Sequence, residues 1–259
     1  MKYKARAVIA TLGCFVVMIL CYFYLKDLIP QGQEVQPTNS STKHNYNSIT
    51  AKYDFGKPVP VSNYVDKNYF DDAVFFGDSI TYGMVGNLDL DSDNIIACKG
   101  ASIRAMLEKV ELSGKEEYGK VNAIGEVVLK NPKRIYIMIG INGLAWMTTQ
   151  QVISDYEELI DEMVLANPEA QIYVQSIFPV SKAKENSDER YKNSKIDRIN
   201  MNLLELCEEK SVYYLDTNSI LKNEDGNMSA EFTNSSDGIH INKEAYDIWF
   251  NYLRNHVVK

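Results

Sequence analysis

The sequence predicts an α/β protein with a central parallel sheet of about five strands and helices on both faces. Short apolar runs recur along the chain, and each stops at turn chemistry. Amphipathic helical stretches lie between them, and alternation of this kind implies crossover connections and a covered parallel sheet. The part of the chain showing this pattern is of ordinary size for one domain.

The first strand is expected over Ala73–Phe76, stopping at Gly77. The second runs over Asn94–Cys98 and ends near Gly100, and the third over Arg134–Ile139 ends at Gly140. Gln171–Ile177 stops before Pro179, and Val212–Leu215 stops at Asp216. Between these runs, Val152, Tyr156, Leu159, Ile160 and Met163 share one helical face after Thr148 or Thr149. Ile196, Ile199, Leu203 and Leu206 mark a second helix. Ala245, Ile248, Trp249, Tyr252 and Leu253 mark a third, with Asn242 as its N-cap. A shorter helix is expected over Ser102–Leu112. Residues 181–195 form a charged loop after Pro179, either a solvated lead-in to the second helix or a flank of the site, and His256 falls on the face of the last helix.

Open parallel sheets place their sites at the carboxyl ends of strands. Here those ends carry Gly77-Asp78-Ser79, Gly100, and Gly140-Ile141-Asn142-Gly143, while Asp237-Gly238-Ile239-His240 stands near the C-terminus. The residue types suit acyl transfer. A serine hydroxyl is a weak nucleophile until a base takes its proton. Histidine can take that proton and return it to a leaving group, and a carboxylate fixes the imidazole tautomer. Backbone N–H groups at glycines and an Asn amide suit a tetrahedral oxyanion. Asp78 is expected to hold its turn rather than to do chemistry.

These blocks resemble those of the SGNH hydrolases, the GDSL-type esterases and lipases. Phe76-Gly77-Asp78-Ser79-Ile80-Thr81 is similar to the first family block, Gly100 to the second, Gly140-Ile141-Asn142 to the third, and Asp237-Gly238-Ile239-His240 to the last. The resemblance covers about residues 70–256. It implies a three-layer α/β/α flavodoxin-like fold. Ser79 would be the nucleophile, His240 the base and Asp237 the residue that orients it. The oxyanion hole would be the backbone N–H groups of Ser79 and Gly100 with the Asn142 side chain. Two positions depart from the family pattern: Gly143 replaces a second acid, and Cys98-Lys99 precede Gly100 where an Asn is usual. GxGxxG, the P-loop and the GxSxG elbow are missing, and no cofactor or metal is expected.

The chain has 259 residues and a net charge of −8, unevenly spread. Residues 1–65 carry seven Lys/Arg and three Asp/Glu, and residues 66–259 carry 20 and 32. An acidic domain disfavours nucleic acid as a partner. It also favours neutral or cationic substrates over anionic polymers. Ala7–Leu25 is free of charge and long enough to cross most of a hydrocarbon core, and Lys2, Lys4 and Arg6 precede it. The positive-inside rule puts the N-terminus in the cytoplasm and the rest outside. A cleaved signal peptide is the rival, but no small-x-small site follows the run.

The expected organisation is therefore a membrane anchor over 1–26, a flexible polar linker over 27–65 with His44 in solvent, and a hydrolase domain over 66–259. A Cys98–Cys207 disulfide and two free thiols are both compatible with the sequence. The expected activity is that of a membrane-anchored, extracytoplasmic serine esterase acting on short-chain, O-acetyl-type esters of cell-surface carbohydrate. An acyltransferase, a lysophospholipase or thioesterase, and a non-catalytic carbohydrate-binding or assembly protein are the alternatives.

Overall fold

The structure, a computed structural model, describes residues 53–234 and 237–258. Five strands form one parallel sheet: β1 Ala73–Gly77, β2 Ile95–Ala97, β5 Arg134–Met138, β6 Gln171–Gln175 and β7 Tyr213–Leu215. Their order is β2-β1-β5-β6-β7. The chain thus winds one way from β1 to β2 and the other way from β1 to β5, and the gap between β1 and β5 is the topological switch point. All five strands lie within a residue or two of the expected runs.

Apart from the half-buried first residues Arg134 and Gln171, the strands are buried because helices cover both faces. On one side pack α3 Ile103–Leu107, α4 Ala123–Lys130, α5 Thr149–Ala166 and α7 Asn193–Lys210. On the other lie α2 Met84–Asn87 and α8 Lys243–Asn255. The expected caps are in place. Thr148 and Gln151 form a reciprocal capping box at the start of α5. The Asn242 side chain accepts from the Ala245 N–H at 3.1 Å to start α8. His256 ends that helix, stacked on Tyr252 with ring centroids 3.7 Å apart.

An aromatic ladder crosses the sheet on the α8 side. Phe75, Tyr136, Tyr173 and Tyr213 are register partners on adjacent strands, with ring centroids 5.2, 4.8 and 4.9 Å apart and near-parallel planes. Each such cross-strand pair contributes about 0.2–1 kcal/mol. Phe70 joins the ladder to Phe250 of α8.

Three expectations need correction. The helix beginning at Ser102 stops at Leu107, short of Leu112. The chain then extends into β3 Lys109–Glu111, which pairs antiparallel with β4 Lys120–Asn122 and sets Val110 opposite Val121. Residues 53–65 belong to the domain and not to the linker expected over 27–65. The Val59 N–H donates to the Tyr214 carbonyl at 2.8 Å, Ser62 and Val65 bond the Asn255 and Arg254 carbonyls, and Tyr53 packs edge-on against Tyr213. Val59 is buried in the core, which a solvated tether would not allow. Finally, residues 181–195 hold a short helix, α6 Lys182–Ser187.

The apolar segment Ala7–Leu25 lies outside the described residues. Among the described residues no helix is long and apolar enough to cross a membrane. Cys98 and Cys207 are both free thiols, Cys207 fully buried.

Candidate active site

The switch point gathers the expected residues. Ser79 follows β1 and opens α1 Ser79–Tyr82. Its position depends on Gly77, where a Cβ would fall 2.1 Å from the Met138 carbonyl oxygen and 2.2 Å from Thr81 Oγ1. Only glycine lets β1 pass this close to β5 while Thr81 folds back to donate to the same carbonyl at 3.0 Å.

Asp78 is fully buried beneath this turn. One carboxylate oxygen accepts from the Ile80 N–H at 3.0 Å and the other from the Gly140 N–H at 3.4 Å. The residue therefore caps α1 and ties the turn after β1 to the turn after β5. Burial pushes its carboxyl up to about 6, against the pull of these two N–H groups and of His240.

Asp237 and His240 arrive on the loop before α8. Asp237 Oδ1 accepts from the Ile239 and His240 N–H groups at 2.8 and 2.9 Å, which folds the turn. Its Oδ2 accepts from His240 Nδ1 at 2.5 Å, which orients the ring. An acceptor-only carboxylate on Nδ1 puts the proton there, so Nε2 presents its lone pair. Nε2 lies 2.9 Å from Ser79 Oγ. Burial raises the Asp237 carboxyl, but the bonds from His240 and the two backbone N–H groups outweigh it and hold the group below its ordinary value. Gly238 makes this turn at φ +69°, and its carbonyl accepts from the Ser181 N–H at 2.8 Å. A Cβ at 238 would fall 2.2 Å from Ser181 Oγ, so the loop seats only with glycine.

Gly100 is exposed on the turn after β2, which is tied to β1 by the Cys98 N–H donating to the Gly77 carbonyl at 3.1 Å. Asn142 lies on the turn after β5 and its Nδ2 donates to the Ala101 carbonyl at 3.1 Å. Ser79, Asp237 and His240 are thus joined directly, and the loops that carry Gly100 and Asn142 are bonded to each other and to the turn that carries Ser79. Sequence reasoning left two supports unseen: the bond from Asp78 to Gly140, and the docking of Gly238 on Ser181. Each joins residues more than fifty positions apart, and no local pattern signals either.

A hydroxyl, an imidazole with its lone pair aimed at it and a carboxylate behind the imidazole stand in line on a flavodoxin-like sheet, an arrangement suited to acyl transfer. The family model for GDSL-like lipases and acylhydrolases matches residues 75–248, and the chain belongs to that family. It is accordingly a hydrolase. Among solved structures it is similar to a GDSL-like lipase from Bacteroides thetaiotaomicron, at 16% identity over 73% of this chain and 88% of that one, with a TM-score of 0.54. A candidate acylhydrolase from Bacteroides fragilis matches at 18% identity over 76% and 88%, with a TM-score of 0.54. A carbohydrate esterase family 3 protein from Talaromyces cellulolyticus matches at 16% identity over 70% and 93%, with a TM-score of 0.50. These likenesses concern the fold. No match was found among curated proteins.

Proposed function

We propose that the chain is a membrane-anchored, outward-facing serine esterase that removes short acyl groups, O-acetyl above all, from cell-surface carbohydrate. The observation that carries the catalytic part is the unbroken relay from Ser79 Oγ through His240 to Asp237. Ser79 Oγ attacks the ester carbonyl carbon while its proton passes to His240 Nε2. The Ser79 and Gly100 N–H groups and the second N–H of the Asn142 amide receive the oxyanion. Collapse breaks the ester C–O bond, and His240 returns the proton to the departing alcohol. Water, deprotonated by the same histidine, then releases the acid and frees Ser79.

The substrate class draws support from the fold likeness to a carbohydrate esterase and from the acidic charge of residues 66–259. The anchor draws support from the charge-free Ala7–Leu25 behind Lys2, Lys4 and Arg6. A fluorophosphonate probe tests the chemistry: wild type should label at Ser79, and Ser79→Ala should not. Equal labelling of both proteins sinks the esterase reading. Protease added to intact cells tests the topology, and protection of the whole chain would reverse it.

A further inference from the structure

Trp146 is 79% exposed, four residues beyond Asn142 on the turn that follows β5. A large aromatic in water is unremarkable where the chain is loose, but this turn is tightly held. The Trp146 and Met147 N–H groups both bond the Gly143 carbonyl, at 3.1 and 3.0 Å. Lys195 Nζ donates to the Leu144 and Met147 carbonyls, both at 2.7 Å, which fastens the turn to α7.

The indole also has a backing. The Arg190 guanidinium lies over the ring, 5.0 Å from its centroid. Arg190 is itself fixed, because its Nε and Nη2 both donate to the Asp188 carboxylate at 2.8 Å. Asp188 follows α6, whose N-cap Ser181 seats the Gly238 turn of the catalytic loop. So the ring and its backing descend from the loops that position Asn142 and His240. Together they make an aromatic plate carried on the turn that bears Asn142, with the Arg190 guanidinium over one face and most of the ring open to water.

From this we infer that Trp146 is a specificity residue: its open face stacks on a pyranose ring in the alcohol portion of the substrate. The C–H bonds of a sugar ring face suit a flat π surface, and an aromatic ordered in advance loses little entropy when the sugar lands. This rests on the esterase reading for its reaction but not for its binding.

Both can be measured on the full chain in detergent. Of the two tryptophans, Trp249 is buried and its indole N–H is bonded to Gln175, so a sugar-induced emission change reports Trp146. Unacetylated xylotetraose should change the emission saturably, and no change up to tens of millimolar overturns the inference. Trp146→Ala should raise KM for acetylated xylo-oligosaccharides by about tenfold and Trp146→Phe by less, with 4-nitrophenyl acetate turnover unchanged. Equal loss on both substrates would also overturn it, because it would mean a damaged site. Turnover of acetylated sugar without an emission change sinks the plate and leaves the esterase. An emission change without labelling of Ser79 does the reverse.

Discussion

The carboxylate of Asp78 accepts a hydrogen bond from the Gly140 N–H across the gap between β1 and β5. Through it the Ser79 turn and the Asn142 turn are tied to a single buried group. That group pays a desolvation cost in its charged form, and the sign of its pH dependence follows. Its folded pKa, pushed up to about 6, lies above the ordinary carboxylate value. Its contribution to stability is therefore complete at low pH and is lost as pH rises from about 4 through 6.

Asp78→Asn should remove this dependence. The amide can accept only one of the two N–H bonds and turns a donor towards the other. Urea denaturation should show the stability advantage of wild type over the variant shrinking between about pH 4 and pH 6, by an amount on the order of 2 kcal/mol. A constant difference across that window would refute the assignment. Activity should fall at every pH, because Asn142 loses its fixed distance from Ser79.

Asp237→Asn tests the other carboxylate, which works in the opposite sense. Held below its ordinary value, Asp237 adds stability that is lost as pH falls through its folded pKa. The amide can also turn the imidazole towards the wrong tautomer. Turnover of 4-nitrophenyl acetate should drop by about 10²- to 10⁴-fold with KM little changed. A drop below tenfold would show that the relay is ornamental.

Gly77→Ala should destabilise the fold by about 2–4 kcal/mol, since a methyl group there meets the Met138 carbonyl and Thr81. The companion Thr81→Ala distinguishes the two contacts. It removes the Oγ1 contact but leaves the carbonyl and the Cβ of residue 81, so the double variant should recover only part of the loss. Full recovery would locate the clash wholly at Thr81.

Tyr136→Phe should be stable to within about 1 kcal/mol of wild type, or slightly better. The Tyr136 hydroxyl is buried with no hydrogen-bond partner among the described residues, while its ring stacks between Phe75 and Tyr173. Tyr136→Ala, which breaks the ladder, should cost about 3–5 kcal/mol. A large loss in the Phe variant would reveal a bonded hydroxyl.

The parts of the fold legible in the sequence were those with a local signature. Buried strands ending at Gly, Pro or Asp announced themselves by run length, and Thr148 and Asn242 by the chemistry of caps. The overextended helix after Ser102 shows where this fails. Ile103, Met106, Leu107 and Val110 keep helical spacing, yet Val110 is buried through an antiparallel pair with Val121 that no local pattern encodes. Ala123–Lys130 was missed because it is short, holds Gly125, and leaves Val128 and Leu129 exposed beside its buried Ala123, Ile124 and Val127. In the site, Ser79 and His240 were legible as residue types at strand ends. The contact between Gly238 and Ser181 was not, because it exists only once two loops have folded.

The strap over 53–65 gives the domain a mechanical grain. Tyr53 meets the sheet at Tyr213, where the last edge strand begins, whereas Ser79 stands beyond the finishing end of β1. Tension entering at Tyr53 first works to peel the strap from Tyr214 and the end of α8. It reaches the interior through the stacked rings and, along α8, through the Tyr246 hydroxyl bonded to the Ile80 carbonyl. A tug from that side therefore loads the strap's own bonds and one edge of the sheet before it loads the turn that carries Ser79.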